Sequence, residues 1–238
     1  MEPTLYAAFG LGLILGIKHA LDADHLIAVS TIVSEHQSLK WASLIGAFWG
    51  LGHTATLFAV GLLVIGLRLT ISPRLALVLE FFVALMLISL GASILWRSFK
   101  EEKHKLHLHA HNHSPDMHAH FHVHGERGED HSHPHPFKSM RKPFVVGMVH
   151  GLAGSAALML LVLTTIPSPL AGLAYILIFG AGSVGGMLLL SSMIGLPFIF
   201  TARRFTLLNR WLRVAAGAAS LAFGLFLAWE LGFHEGLF

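Results

Sequence analysis

The chain has 238 residues, of which 54% are hydrophobic and only 12% charged, with a formal net charge of +3. An ordinary soluble domain is about 25% charged, and apolar area left in water drives association, so a water-soluble enzyme is excluded. The length accommodates six apolar spans of about 20 residues each. The sequence contains no cysteine, which removes disulfides, thiolate metal sites and cysteine nucleophiles together. Met1-Glu2-Pro3 supplies no basic n-region, so no cleavable signal is expected. In a chain of this class basic residues report orientation before partners; a lipid bilayer is the expected surrounding, and no nucleic-acid partner is expected.

Apolar runs fall at roughly 5–33, 41–67, 74–97, 143–165, 170–201 and 207–233. They predict an all-α polytopic membrane protein of about six transmembrane helices. The first run contains Lys18, His19, Asp22, Asp24 and His25, five ionisable groups within eight residues. A charged group at the centre of a span costs about 2.5–3.5 kcal/mol on insertion scales, so these groups must pair, bind an ion or meet water. On a continuous helix of about 100° per residue, His19, Asp22 and His25 share a stripe and Asp24 points nearly the opposite way. Two imidazoles flanking a carboxylate suit a divalent cation. The plainer alternative is a Lys18–Asp22 ion pair with the histidines satisfied by neighbouring helices. A run of this length also leaves room for a break near 19–25, because irregular backbone is tolerated where it lines a cavity.

In the second run His53, within Gly50-Leu51-Gly52-His53-Thr54, lies mid-span among small residues that permit close helix approach. His150 lies early in the fourth run. Each either completes a metal site from another helix or is an ordinary hydrogen-bonded core group.

The connector 98–142 is a different polymer and holds twelve of the 18 histidines. They are His104, His107, His109, His111, His113, His118, His120, His122, His124, His131, His133 and His135. Interleaved Ser, Pro, Gly, Asp and Glu leave no apolar face to bury, so the tract is expected to be disordered and to buffer metal through imidazole. Basic residues flank it. Thirteen lie on its side of the membrane: Lys40, Arg97, Lys100, Lys103, Lys105, Arg127, Lys138, Arg141, Lys142, Arg203, Arg204, Arg210 and Arg213. Only Arg68 and Arg74 lie on the other. The positive-inside bias predicts a cytoplasmic His-rich loop and both termini outside, in the plasma (inner) membrane.

The sequence also repeats itself. Gly16–Asp24 aligns with Gly147–Ser155 at an offset of 131, Gly50–His53 with Gly180–Ser183 at 130, and Gly91 and Trp96 with Gly224 and Trp229 at 133. His150 thereby becomes the repeat equivalent of His19. Ordered matches at nearly one offset predict a three-helix repeat over 1–97, the His-rich loop over 98–142 and a second three-helix repeat over 143–238. Three spans per half makes the halves face opposite ways, an inverted-repeat transporter architecture with its site near the midplane.

His19-Ala20-Leu21-Asp22-Ala23-Asp24-His25 reads H-x4-D-H and resembles the signature of the nickel/cobalt transporter (NiCoT) family. Gly52-His53-Thr54 resembles the Leu-Gly-His-Ser motif of that family's following helix. Longer members carry an acidic Phe-Asp-Thr-Ala-Thr-Glu motif where this chain has Gly151-Leu152-Ala153-Gly154-Ser155-Ala156-Ala157, which sets it nearer the shorter, urease-accessory branch. The resemblance implies a secondary permease for Ni²⁺ or Co²⁺, with His19, Asp24 and His25 as motif residues and Zn²⁺ as a further candidate cargo. No prosthetic group is implied. The metal would serve urease, hydrogenase or cobalamin maturation, with cytoplasmic metallochaperones for urease or hydrogenase as partners. The competing readings are a nickel, cobalt or zinc efflux carrier, an intramembrane metalloenzyme and a membrane metal sensor. No G-x-x-x-x-G-K-[ST] nucleotide loop occurs, and H-E-x-x-H is absent as well.

Overall fold

The computed structural model describes residues 3–67, 69, 71–103, 108–113, 116–121, 136–166 and 168–238. Among the described residues seven α-helices follow one another: α1 (Pro3–His19), α2 (Ala23–Val33), α3 (Leu39–Leu67), α4 (Pro73–Lys103), α5 (Pro136–Thr165), α6 (Pro169–Arg204) and α7 (Thr206–Trp229). A π-helical turn, Glu230–His234, extends α7. Pro169 opens α6 at a position where its missing N–H costs nothing, and Ser168 caps it.

Leu39–Leu67, Pro73–Lys100, Pro169–Ala202 and Thr206–His234 are each long and apolar enough to cross a membrane. The first expected span is not one helix but two shorter apolar ones, α1 and α2. The polar residues between them are the reason, as the local geometry described below makes plain. Helix also invades the connector from both ends: α4 runs on to Lys103 and α5 begins at Pro136. Glu, Lys and Arg are good helix formers, so a span that leaves the apolar run at Arg97 has no cause to stop there. Inside the connector, β1 (Leu108–His113) and β2 (Asp116–Phe121) pair antiparallel, with His109 opposite His120 and His111 opposite His118. The hairpin accounts for twelve residues of the connector, and 104–107, 114–115 and 122–135 lie outside the described residues.

The helices pack around α3, which lies against α5 and α6; α1 packs on α6, and α4 on α7. Small residues allow the close approaches. A β-carbon at Gly16 would strike the backbone of Phe179, and one at Gly147 the backbone of Trp49. Gly52 meets Phe144, Gly182 meets Leu13, Gly91 meets Leu221 and Gly224 meets Ile88. Ala28, Val29, Val33, Ile45, Trp49, Leu87 and Met187 form the buried centre. Large apolar side chains also cover the outside, among them Leu62, Leu63, Phe82, Leu189, Phe200 and Phe226. A bilayer is the solvent that such a surface requires. Trp96, Trp211 and Trp229, all exposed near helix ends, suit the headgroup level.

Candidate metal centre

The break between α1 and α2 has local causes. The N–H groups of Leu21 and Asp22 turn back to the carbonyls of Lys18 and His19 at 2.9 and 3.1 Å, the three-residue step that tightens a helix end. Asp22 then takes the extended N-cap position of α2, with φ −62° and ψ 146°. Aspartate favours that position, and Asp24 in the first turn meets the positive end of the helix. Its Oδ1 accepts the backbone N–H of His25 at 2.9 Å, satisfying a donor that the helix itself leaves unpaired.

Four imidazoles and a carboxylate gather at this break. His19 and His25 come from its two sides, His53 from α3 and His150 from α5. The ring of His25 lies 4.7 Å from that of His19, 5.5 Å from His53 and 4.3 Å from His150. His19 Nε2 and His53 Nε2 are 3.2 Å apart. Asp24 bridges two rings: Oδ1 accepts from His25 Nδ1 at 3.1 Å and Oδ2 from His150 Nε2 at 2.8 Å. Asp22 Oδ2 accepts from His19 Nδ1 at 2.7 Å.

These bonds decide which nitrogen of each ring is left over. A neutral ring that donates through one nitrogen presents a lone pair on the other. His25 therefore presents Nε2 and His150 presents Nδ1, while His19 Nε2 faces His53 Nε2 and leaves His53 Nδ1 over. His25, His53 and His150 are buried, and His25 Nε2, His53 Nδ1 and His150 Nδ1 have no hydrogen-bond partner. Leaving a buried polar atom unpaired costs roughly 1–3 kcal/mol, so three in one place mark a site shaped for something else. A ring that donates to a carboxylate while offering its other nitrogen is the usual arrangement around a bound metal. Two sets of ligand atoms lie within 4.8 Å of one another, His19/His25/His53 and Asp24/His25/His150, with His25 common to both. Trp49, fully buried, stands 6.1 Å from the His25 ring and 5.5 Å from that of His150. Its ring packs against the histidines, and its Nε1 is buried without a hydrogen-bond partner as well.

The family model NicO, described as high-affinity nickel-transport protein, matches residues 5–225. The chain belongs to the NicO family. It is also 40% identical over 240 residues to the urease accessory protein UreH of Bacillus sp. (strain TB-90), covering 100% of this chain and 97% of that protein. No solved structure matches. A NicO chain with these apolar helices is a multi-pass membrane permease of the nickel/cobalt class and not an enzyme.

Of the residues singled out in this NicO sequence, His19, Asp24, His25, His53 and His150 converge. Asp22 sits at the edge, half-exposed, in contact with His19. The stripe expected of a continuous helix does not form, because the break turns α2 so that Asp24 joins the histidines. Lys18 is exposed, and its pairing with Asp22 is absent among the described residues. In the loop, His109, His111, His113, His118 and His120 fall on the hairpin strands; His104, His107, His122, His124, His131, His133 and His135 lie outside the described residues. Two residues beside the centre went unread in the sequence. Trp49 looks like any core aromatic. Glu80 of α4, which lines a cavity of ≈ 150 Å³ beside the histidines, carried a signal: a lone acid inside an apolar run.

Proposed function

We propose that this NicO protein takes up Ni²⁺, with Co²⁺ the next-best cargo and Zn²⁺ after it, through the centre at the α1–α2 break. The observation that carries this reading is the convergence of three unpaired buried ring nitrogens on two sides of His25. Imidazole suits the borderline first-row ions. In this reading His19, His25, His53 and His150 ligate the passing ion. Asp24 balances its charge and aims two of the rings, and Asp22 aims His19. An interior-negative potential drives a divalent cation inward by about 4.6 kcal/mol per 100 mV.

The glycine contacts support an inverted repeat. Gly16 on Phe179 and Gly147 on Trp49 are the same contact with the halves exchanged, and so are Gly52 on Phe144 and Gly182 on Leu13. Gly91 on Leu221 and Gly224 on Ile88 form a third such pair. Each relation follows the offsets of 130 to 133 in the sequence. The basic-residue bias supports a cytoplasmic His-rich loop in the plasma membrane with both termini outside. The loop then stores or hands on metal. The name of the Bacillus relative supports delivery to urease metallochaperones.

The test is uptake. Purified protein in liposomes should accumulate Ni²⁺ under an interior-negative potential, and His25→Ala should abolish accumulation. Uptake that persists in His25→Ala, or none by the wild type, would remove this reading.

A further inference from the structure

We propose that Glu80 is the carboxylate that receives the divalent cation on its way to the histidines, from the end of the molecule where α4 begins and the chain terminates. The inference rests on the transport reading above and adds to it a residue outside the histidine centre. Glu80 lies seven residues beyond Pro73, about 10 Å along the helix axis, and is the sole acid between Pro73 and Arg97. Among the described residues no hydrogen bond or ion pair holds it. A charged group in a span costs about 2.5–3.5 kcal/mol unless something compensates, and nothing structural does so here.

What Glu80 faces gives the reason for its presence. It lines one cavity with His19, Asp24, His25 and His150. The side chains of His25 and His150 are buried, and each has one ring nitrogen without a partner, His25 Nε2 and His150 Nδ1. Asp24 and His19 are partly exposed, 31% and 22% at the side chain, so the cavity is not sealed by protein. Farther out, Glu235 stands within electrostatic range of Glu80, as Asp24 does on the inner side. Glu235 is exposed and belongs to the chain's last turn, which folds back on α4 where the Phe238 ring meets Phe81 edge-on at 5.5 Å. Glu80 thus feels the charge of both Glu235 and Asp24.

The opposite end of the centre is built differently. Glu35, just beyond α2, accepts from Arg97 of α4 at 2.7 Å and lies 3.9 Å from Lys142 of α5. Cationic side chains and a closed ion cluster stand there, whereas the Glu80 end carries Arg74 among the described residues, so the balance of charge favours a cation approaching from the Glu80 end. Carboxylate oxygens bind a hydrated divalent ion before imidazoles replace its remaining waters with better-matched nitrogen donors. Acids lining a low-dielectric cleft also concentrate cations and raise their on-rate.

Initial rates of Ni²⁺ uptake into liposomes, measured against Ni²⁺ concentration for the full chain, test this. Glu80→Gln should raise KM about five- to tenfold and leave the maximal rate within about twofold, because the lost element is capture. Glu80→Asp should stay within about twofold of the wild-type KM, and Glu235→Gln should raise KM less than Glu80→Gln does. Raising ionic strength should weaken the wild type more than Glu80→Gln. An unchanged KM in Glu80→Gln, with uptake by the wild type intact and lost in His25→Ala, overturns the role of Glu80 alone. A loss confined to the maximal rate, with Glu80→Asp no better than Glu80→Gln, overturns it too. Absence of uptake by the wild type removes the transport reading and this inference with it.

Discussion

Asp22 and Asp24 are two residues apart and chemically identical, yet the fold gives them different work. Asp24 accepts from two buried rings at once, His25 and His150, whereas half-exposed Asp22 accepts from His19 alone. Removing the Asp24 charge leaves two rings without orientation and a divalent ion without its nearest counter-charge. Asp24→Asn should therefore weaken Ni²⁺ capture by roughly a hundredfold, and Asp22→Asn by roughly tenfold, the two ends of the span known for groups that aim a ligand. Concentration-dependent uptake into liposomes measures both. Equal losses would mean that His19 needs its carboxylate as much as His25 does.

Among the elements, the helix–helix contacts at glycine set the spacing of the scaffold. A side chain at Gly16 or Gly147 would meet backbone, which cannot swing aside as a flexible side chain does; at Gly10 and Gly66 there is open space. Gly16→Val and Gly147→Val should each cost about 3 kcal/mol or more, the upper end for overpacking. Gly10→Val and Gly66→Val should be nearly neutral. Thermal unfolding of the detergent-solubilised protein separates the two sets. Similar losses for Gly16 and Gly147 are expected if they occupy equivalent places in two halves. The break between α1 and α2 belongs to the same scale. Six residues rich in hydrogen-bonding side chains, from Lys18 to Ala23, hold a turn where an apolar sequence would have continued as helix.

Orientation and the loop are properties of the whole molecule. A cysteine placed at Ser114 should resist a membrane-impermeant thiol reagent in intact cells and react once the cytoplasmic face is opened. Labelling in intact cells would reverse the topology. Deleting 104–135 should lower the number of metal ions bound per chain and leave Ni²⁺ uptake into liposomes measurable; a folded deletion protein without uptake would make the loop part of the pathway. Imidazole ligates only when deprotonated, with an ordinary pKa of about 6.5. Metal bound by the loop should thus be fully retained above that pH and lost as pH falls through it, by about tenfold per ligand between pH 7.5 and 5.5. Equilibrium dialysis across that range, comparing the whole chain with the deletion, reads the effect.

Much of this protein is legible along the chain because the bilayer imposes a one-dimensional rule. Apolar runs of about 20 residues are spans, and ionisable groups inside them are there for a purpose. That rule identified the membrane class and the cluster from Lys18 to His25; the H-x4-D-H pattern within the cluster added the family resemblance. It could not say which aspartate joins the histidines, since the answer turns on three residues of broken helix that rotate α2 relative to α1. Nor could it bring His53 and His150 to His25, or Glu80 to Asp24, across 28, 125 and 56 residues of sequence. Those meetings depend on how α3, α4 and α5 pack against the broken span. Packing of that kind is decided by the summed contacts of whole helices, which no single stretch of sequence contains.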